Sequence, residues 1–180
     1  MKNIALIGMS GCGKSVVGER LAEVFGVPFY DADAEIERDA GMRIYEIFEK
    51  FGEAEFRRLE RVKTAELAQL SGVVISTGGG VVLNPENMKN LKRSSVVVFL
   101  DRKPDDILTT LDNSNRPLLQ DSARVHTMYA ERLPLYQRYA DVAVANAGSV
   151  EEVVGEIKEI VIKTPVTQKS RATLFSKEGL

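Results

Sequence analysis

Between a run of apolar residues and a stretch of helical spacing, the chain reads Gly8-Met-Ser-Gly-Cys-Gly13-Lys14-Ser15. No other segment constrains the fold as strongly. The spacing is G-x-x-x-x-G-K-[ST], that of a loop whose successive backbone N–H groups, with the positive end of the helix that follows, surround a polyphosphate. Glycines are required because a side chain would keep the backbone from curling close. Ile4 to Ile7 (IALI) is a short apolar run closed by Gly8, a pattern for a strand buried on both faces. Lys14 to Phe25 then sets Val17, Leu21, Val24 and Phe25 at helical spacing, and Gly26 and Pro28 stop it. Strand, loop and helix in that order leave little room for a plain glycine-rich turn. In such a loop the lysine, Lys14, reaches the β- and γ-phosphates and the Ser15 hydroxyl ligates Mg²⁺. ATP and Mg²⁺ are therefore the expected ligands.

The rest of the chain supplies the remainder of a sheet. Pro28 to Tyr30, Val73 to Ser76, Val96 to Leu100 and Val142 to Ala145 are four further strand candidates. Residues 34–70 read as helices broken near Gly41 and Gly52, with Ile44, Ile47, Phe48 and Phe51 on one apolar face and Phe56, Leu59, Leu67 and Leu70 on the next. Asn84-Pro85 gives an N-cap followed by proline at the first helical position. Lys103-Pro104 opens another helix, a further one includes Arg124 to Tyr139, and Ser149-Val-Glu-Glu152 is a capping box for a last helix through Val154, Ile157 and Val161. Five short apolar strands alternating with helices predict a parallel sheet covered on both faces. Residues 112–120 are polar and turn-like. From about Lys163 the pattern stops, and 163–180 reads as a mobile basic extension, with a docked arm as the alternative.

Composition bounds the function. With 24 basic and 26 acidic residues the net charge is −2, which gives a nucleic-acid partner no electrostatic footing. One cysteine permits no internal disulfide, and one histidine excludes a zinc site built from several His and Cys. Apolar stretches are far too short to span a membrane, and the start of the chain shows no targeting pattern. A cytoplasmic enzyme and a monomer are expected.

Further chemistry is concentrated in a few residues. Asp31 and Asp33, two apart on an apparently extended segment, would point to one side. The third strand (VVIS) ends without an acid, so Asp31 could serve the metal and Asp33 could accept a proton from an attacking hydroxyl. The alternative is a helix-capping pair, with Asp33 preceding a helix that starts near Ala34. Gly78-Gly79-Gly80 follows the third strand, where loops of a parallel sheet gather at the ligand crevice, and its N–H groups could receive a substrate. A simple tight turn is the other reading. Arg57, Arg116 and Arg132 could each clamp a carboxylate or phosphate, or be ordinary surface arginines. His126 has no partner pattern, and the side chain of Cys12 has no assigned chemistry.

Taken in order, the phosphate loop, Phe29-Tyr-Asp-Ala-Asp33, the Phe-Arg57 helix, Gly78–Gly80, Arg116-Pro-Leu-Leu and Arg132 ahead of Pro-Leu-Tyr resemble the shikimate kinase family over about residues 3–162. The resemblance implies a P-loop kinase fold: a three-layer sandwich whose five-stranded parallel sheet has the order 2-3-1-4-5, with a mobile lid at about 110–121. It implies phosphorylation of the 3-hydroxyl of shikimate by ATP with Mg²⁺. By position, Lys14, Asp33 and Arg116 would be catalytic. Asp33, Arg57, Gly78, Gly79, Gly80 and Arg132 would bind substrate. Gly11, Cys12, Gly13, Lys14, Ser15, Val16, Arg116 and Ser149 would bind the nucleotide, and Ser15 and Asp31 the metal. The chain departs from the family pattern at Thr109 and Thr110, where many members place a basic residue over adenine. A gluconate-type kinase and a silent kinase-like binding protein are the competing readings.

Overall fold

The computed structural model describes residues 1–110 and 122–163. The polar 111–121 segment, with Arg116, and the tail from 164 lie outside the described residues. Five strands form one parallel sheet: β1 (Asn3–Ile7), β2 (Phe29–Asp31), β3 (Val74–Ser76), β4 (Ser95–Asp101) and β5 (Val142–Ala145), in the order β2-β3-β1-β4-β5. The expected order holds. Seven α-helices are described: α1 (Lys14–Phe25), α2 (Ala32–Ala40), α3 (Ile44–Leu67), α4 (Pro85–Ser94), α5 (Pro104–Thr110), α6 (Ser122–Tyr139) and α7 (Val150–Lys163).

β1 is central because its sequence can be buried on both faces. All five of its residues are buried, Ile4 paired with Val74 on one side and with Val96 on the other. The one polar residue there, Asn3, is satisfied by its carboxamide, which donates to the Leu70 carbonyl and accepts from the Val73 N–H. That is what a fully desolvated amide requires. Packed against this sheet are Leu21 of α1, Leu91 of α4, Tyr136 of α6 and Ile157 of α7. A smaller apolar cluster, Ile36, Ile47 and Phe56, joins α2 to α3.

One local expectation needs correction. β2 stops at Asp31 and α2 begins at Ala32, so Asp31 and Asp33 do not share an extended segment. The cap is Asp31, not Asp33. Its Oδ1 accepts from the backbone N–H groups of Asp33 and Ala34, which starts the helix two residues before the apolar pattern becomes visible. Gly52, with φ 80° and ψ 173°, breaks the helical run as expected, so that Ile44–Leu67, labelled α3, is two helices meeting at a kink. Only glycine adopts that backbone at little cost. At the other boundaries the structure agrees within a residue or two. Asn84 caps α4 through the Glu86 N–H, and Ser149 and Glu152 form the expected capping box.

Candidate active site

The phosphate loop leaves the carboxyl end of β1 and closes at the first turn of α1. Gly8, Gly11 and Gly13 all have positive φ, at 146°, 81° and 99°. Such a backbone turns successive N–H groups inward and makes an anion-binding concavity. Gly13 has a second reason to be glycine, since a Cβ there would lie 2.7 Å from Nδ2 of Asn146. That carboxamide donates to the Cys12 carbonyl at 2.6 Å, tying the loop to the chain leaving β5. Lys14 is 6% exposed and lies back along its own loop, donating from Nζ to the carbonyls of Gly8 and Met9 at 2.9 and 2.7 Å. The ammonium is thus placed at the concavity. Cys12 is buried, with its sulfur 3.7 Å from Nζ. Val16 is exposed on the first turn of α1.

Ser15 and Asp31 meet at the next layer. The Ser15 hydroxyl donates to Oδ2 of Asp31 at 2.6 Å. Asp31 therefore has one carboxylate oxygen capping α2 and the other on the loop serine. A hydroxyl and a carboxylate in contact are hard oxygen donors that suit Mg²⁺ held mostly by phosphates. Among the described residues there is no group of three or more His, Cys, Asp or Glu able to hold a metal without such help.

The glycine run is not a plain turn. A Cβ on Gly78 would lie 2.8 Å from Oδ1 of Asp33 and 3.0 Å from Oε1 of Glu60. On Gly79 it would lie 2.6 Å from the Ser10 hydroxyl, and on Gly80 2.3 Å from Nη1 of Arg57. All three glycines are therefore demanded by side chains or loop atoms pressed against them. The run brings together Asp33 from α2, Arg57 from α3 and Ser10 of the phosphate loop. Tyr136 on α6 fixes its middle, donating to the Gly79 carbonyl at 2.6 Å while its ring stacks on Phe99, centroids 5.0 Å apart.

Arg57 and Arg132, 75 positions apart in the sequence, line one pocket of about 430 Å³. The volume lies in the range of small-molecule sites. Arg57 donates to Glu53 and, from Nη1, to Glu60 at 2.9 Å. Glu60 has a side-chain exposure of 2%, and its other oxygen, Oε1, is buried without a hydrogen-bond partner. Burial pushes the Glu60 carboxyl above its ordinary range, against the pull of Arg57 and Arg132. Burial would lower the Arg57 guanidinium, but Glu60 and Glu53 hold it above its usual value. It is a fixed cation.

Sequence reasoning missed four contributors. Glu60 looks like one more acid on a charged helix, and only its burial marks it. Arg124 lines the same pocket as Arg57 and Arg132. Asn146 reaches the phosphate loop across 134 residues. Arg102 follows β4 and lines a second pocket beside the loop. Ser149 uses its hydroxyl on Glu152 at the start of α7, while its neighbours Gly148 and Val150 line that second pocket. His126 pairs with Asp105 on the surface, 3.0 Å away, as its lack of a partner pattern in the site suggests.

Comparison with known proteins adds an independent line. The family described as shikimate kinase matches residues 10–162. A shikimate kinase of Thiobacillus denitrificans is 41% identical over 98% of this chain and 97% of its own. One from Clostridium botulinum is 43% identical over 90% of this chain and 99% of its own. Among solved structures, shikimate kinase from Acinetobacter baumannii in complex with shikimate superposes with a TM-score of 0.87. It is 35% identical, and the match covers 93% of this chain and 96% of that one.

Proposed function

This chain belongs to the shikimate kinase family, and we propose that it transfers the γ-phosphoryl group of ATP to the 3-hydroxyl of shikimate. One observation carries the substrate side of this reading. Two guanidinium groups, Arg57 and Arg132, line a single pocket, and Arg57 lies against the glycine run that also touches Asp33 and the phosphate loop. A small ligand with a carboxylate at one end and hydroxyls at the other matches that polarity. The guanidinium forks and the Gly79 N–H would take the carboxylate. The ring hydroxyls would then face Asp33.

In the reaction the 3-hydroxyl oxygen forms a bond to the γ-phosphorus, the bond from that phosphorus to the bridging oxygen breaks, and ADP leaves. Asp33 takes the hydroxyl proton. Lys14 offsets the charge spread over the transferring oxygens, a role that depends on the place its loop gives it. Arg116, which lies outside the described residues, would add a second cation. Mg²⁺, held through Ser15 with Asp31 behind it, would neutralise phosphate charge when bound. We take the protein to act as a monomer. Among the described residues no helix is long and apolar enough to cross a membrane, and we place the reaction in the cytoplasm.

A coupled assay of ADP release with shikimate, quinate and gluconate in parallel tests the substrate. Turnover that depends on shikimate and yields shikimate 3-phosphate is expected. Turnover with gluconate alone would transfer the chain to the gluconate-type reading, and none with any acceptor would favour a silent binding protein.

A further inference from the structure

We propose that Asn146 is a positioning residue for phosphoryl transfer, fixing the Cys12–Gly13 peptide plane so that the Gly13 N–H faces the phosphates. The inference rests on the kinase reading and concerns a residue that reading does not use. The Asn146 carboxamide donates to the Cys12 carbonyl at 2.6 Å. A trans peptide is planar, with its N–H directed opposite to its carbonyl. Drawing the Cys12 carbonyl toward the chain leaving β5 therefore turns the next N–H, that of Gly13, away from that chain and into the concavity of the loop.

Without that bond the plane is free to turn. Rotating it changes ψ at Cys12 and φ at Gly13, and glycine accepts either sign of φ. Glycine is nevertheless demanded there, because a Cβ would lie 2.7 Å from Nδ2 of Asn146. The same carboxamide thus excludes a side chain that would stiffen the plane and supplies the bond that holds it. The neighbouring groups are already committed. The Cys12 N–H donates to the Met9 carbonyl at 3.2 Å, and the Gly13 carbonyl accepts from the Val17 N–H at 3.0 Å. No side chain caps α1 at Gly13. Among the described residues the Gly13 N–H has no acceptor, and a phosphate oxygen supplies one. Asn146 can hold the plane because it is held itself. Its own N–H donates to the Asp101 carbonyl at 2.7 Å, continuing the pairing of Asp101 with Ala145 between β4 and β5. If the plane turned over, the Cys12 carbonyl would face the phosphates, an acceptor against an anion.

Titration calorimetry with ADP and, separately, inorganic tripolyphosphate reads the assignment, together with the Gly13 amide proton followed by NMR. Asn146→Ala should weaken both ligands by the same factor, about ten-fold, as for one lost hydrogen bond to a charged group. Asn146→Leu keeps the volume without the donor, guards against a collapsed site, and should match it. The KM for shikimate should stay within about two-fold of wild type in both. In the wild type the Gly13 amide proton should move downfield when tripolyphosphate binds, and in both variants it should move much less. Unchanged tripolyphosphate affinity with an unchanged Gly13 shift would overturn the proposal. So would a loss confined to ADP, which would make Asn146 a contact of the nucleoside in the neighbouring pocket it also lines. An equal rise of the KM values for ATP and shikimate would overturn it too, as general disorder of the site. Failure of the substrate reading is seen separately, as wild-type protein that binds tripolyphosphate but does not phosphorylate shikimate.

Discussion

The Tyr136 hydroxyl donates to the carbonyl oxygen of Gly79 at 2.6 Å, across 57 residues of sequence. One bond thereby links the helix that carries Arg132 to the glycine that would meet the substrate carboxylate. Tyr136→Phe should cost roughly 1–3 kcal/mol near neutral pH, the range for leaving a buried carbonyl unmet, and should raise the KM for shikimate. Burial, opposed by the Arg132 cation, holds this phenol well above its ordinary value of 10.0. The native state then keeps a proton that the unfolded chain loses above pH ~10, so stability falls as pH rises through that point. The phenylalanine variant lacks this term. Urea unfolding at several pH values should show the wild-type advantage shrinking above pH ~10; an advantage that grows there would contradict the sign.

Glu60 buries a charge to aim another. Removing it leaves Arg57 without the partner at 2.9 Å. Loss of one member of a buried ion pair costs about 3–5 kcal/mol. Because Arg57 is 26% exposed at its side chain and keeps Glu53, the lower end of that range is expected for Glu60→Ala. Glu60→Gln should cost less while still raising the KM for shikimate. Chemical unfolding together with steady-state kinetics on both variants checks this, and wild-type KM values in both would contradict it.

Gly80→Ala tests how Arg57 is held. The added Cβ would fall 2.3 Å from Nη1 of Arg57, so the guanidinium must shift away from Glu60, whose side chain is 2% exposed. Thermal unfolding should show a loss of roughly 1–3 kcal/mol, the range for leaving a buried polar group poorly met. Shikimate binding should fall about ten-fold because the guanidinium no longer points where the carboxylate would lie. Intact binding in a well-folded variant would show that Arg57 is not set by this contact.

Much of this architecture is readable in the sequence, for physical reasons. β1 and its loop are legible because a strand buried on both faces, three glycines at fixed spacing and a helix stop are all local signals. Asp31 was half legible: an acid next to a helix start is visible, but whether the helix begins at Ala32 or near Ala34 depends on which backbone N–H groups its carboxylate captures. That Arg57 and Arg132 line one pocket was not legible from the two residues themselves. Either could be a surface arginine, and only the ordered set of motifs distinguished them. Glu60 and Asn146 escaped entirely, because their placement depends on burial and on contacts distant in sequence that no spacing records.

Lys14→Ala should leave the fold intact and remove nearly all turnover. Among the described residues its Nζ donates only within its own loop, to the Gly8 and Met9 carbonyls and the Cys12 sulfur, so the fold does not depend on it. Retention of about a tenth of wild-type turnover would mean that only ~1.4 kcal/mol of transition-state stabilisation was lost, too little for the assigned role.

The most direct test of the account is to titrate shikimate into Arg57→Ala and Arg132→Ala, with ATP titrated separately into each. Hydrogen bonds to charged groups contribute roughly 1.5–3 kcal/mol each, so either variant should bind shikimate roughly ten- to a hundred-fold more weakly. ATP affinity should stay near wild type, since the phosphate loop is untouched. If both variants bind shikimate as the wild type does, the carboxylate lies elsewhere and the proposed substrate geometry is wrong.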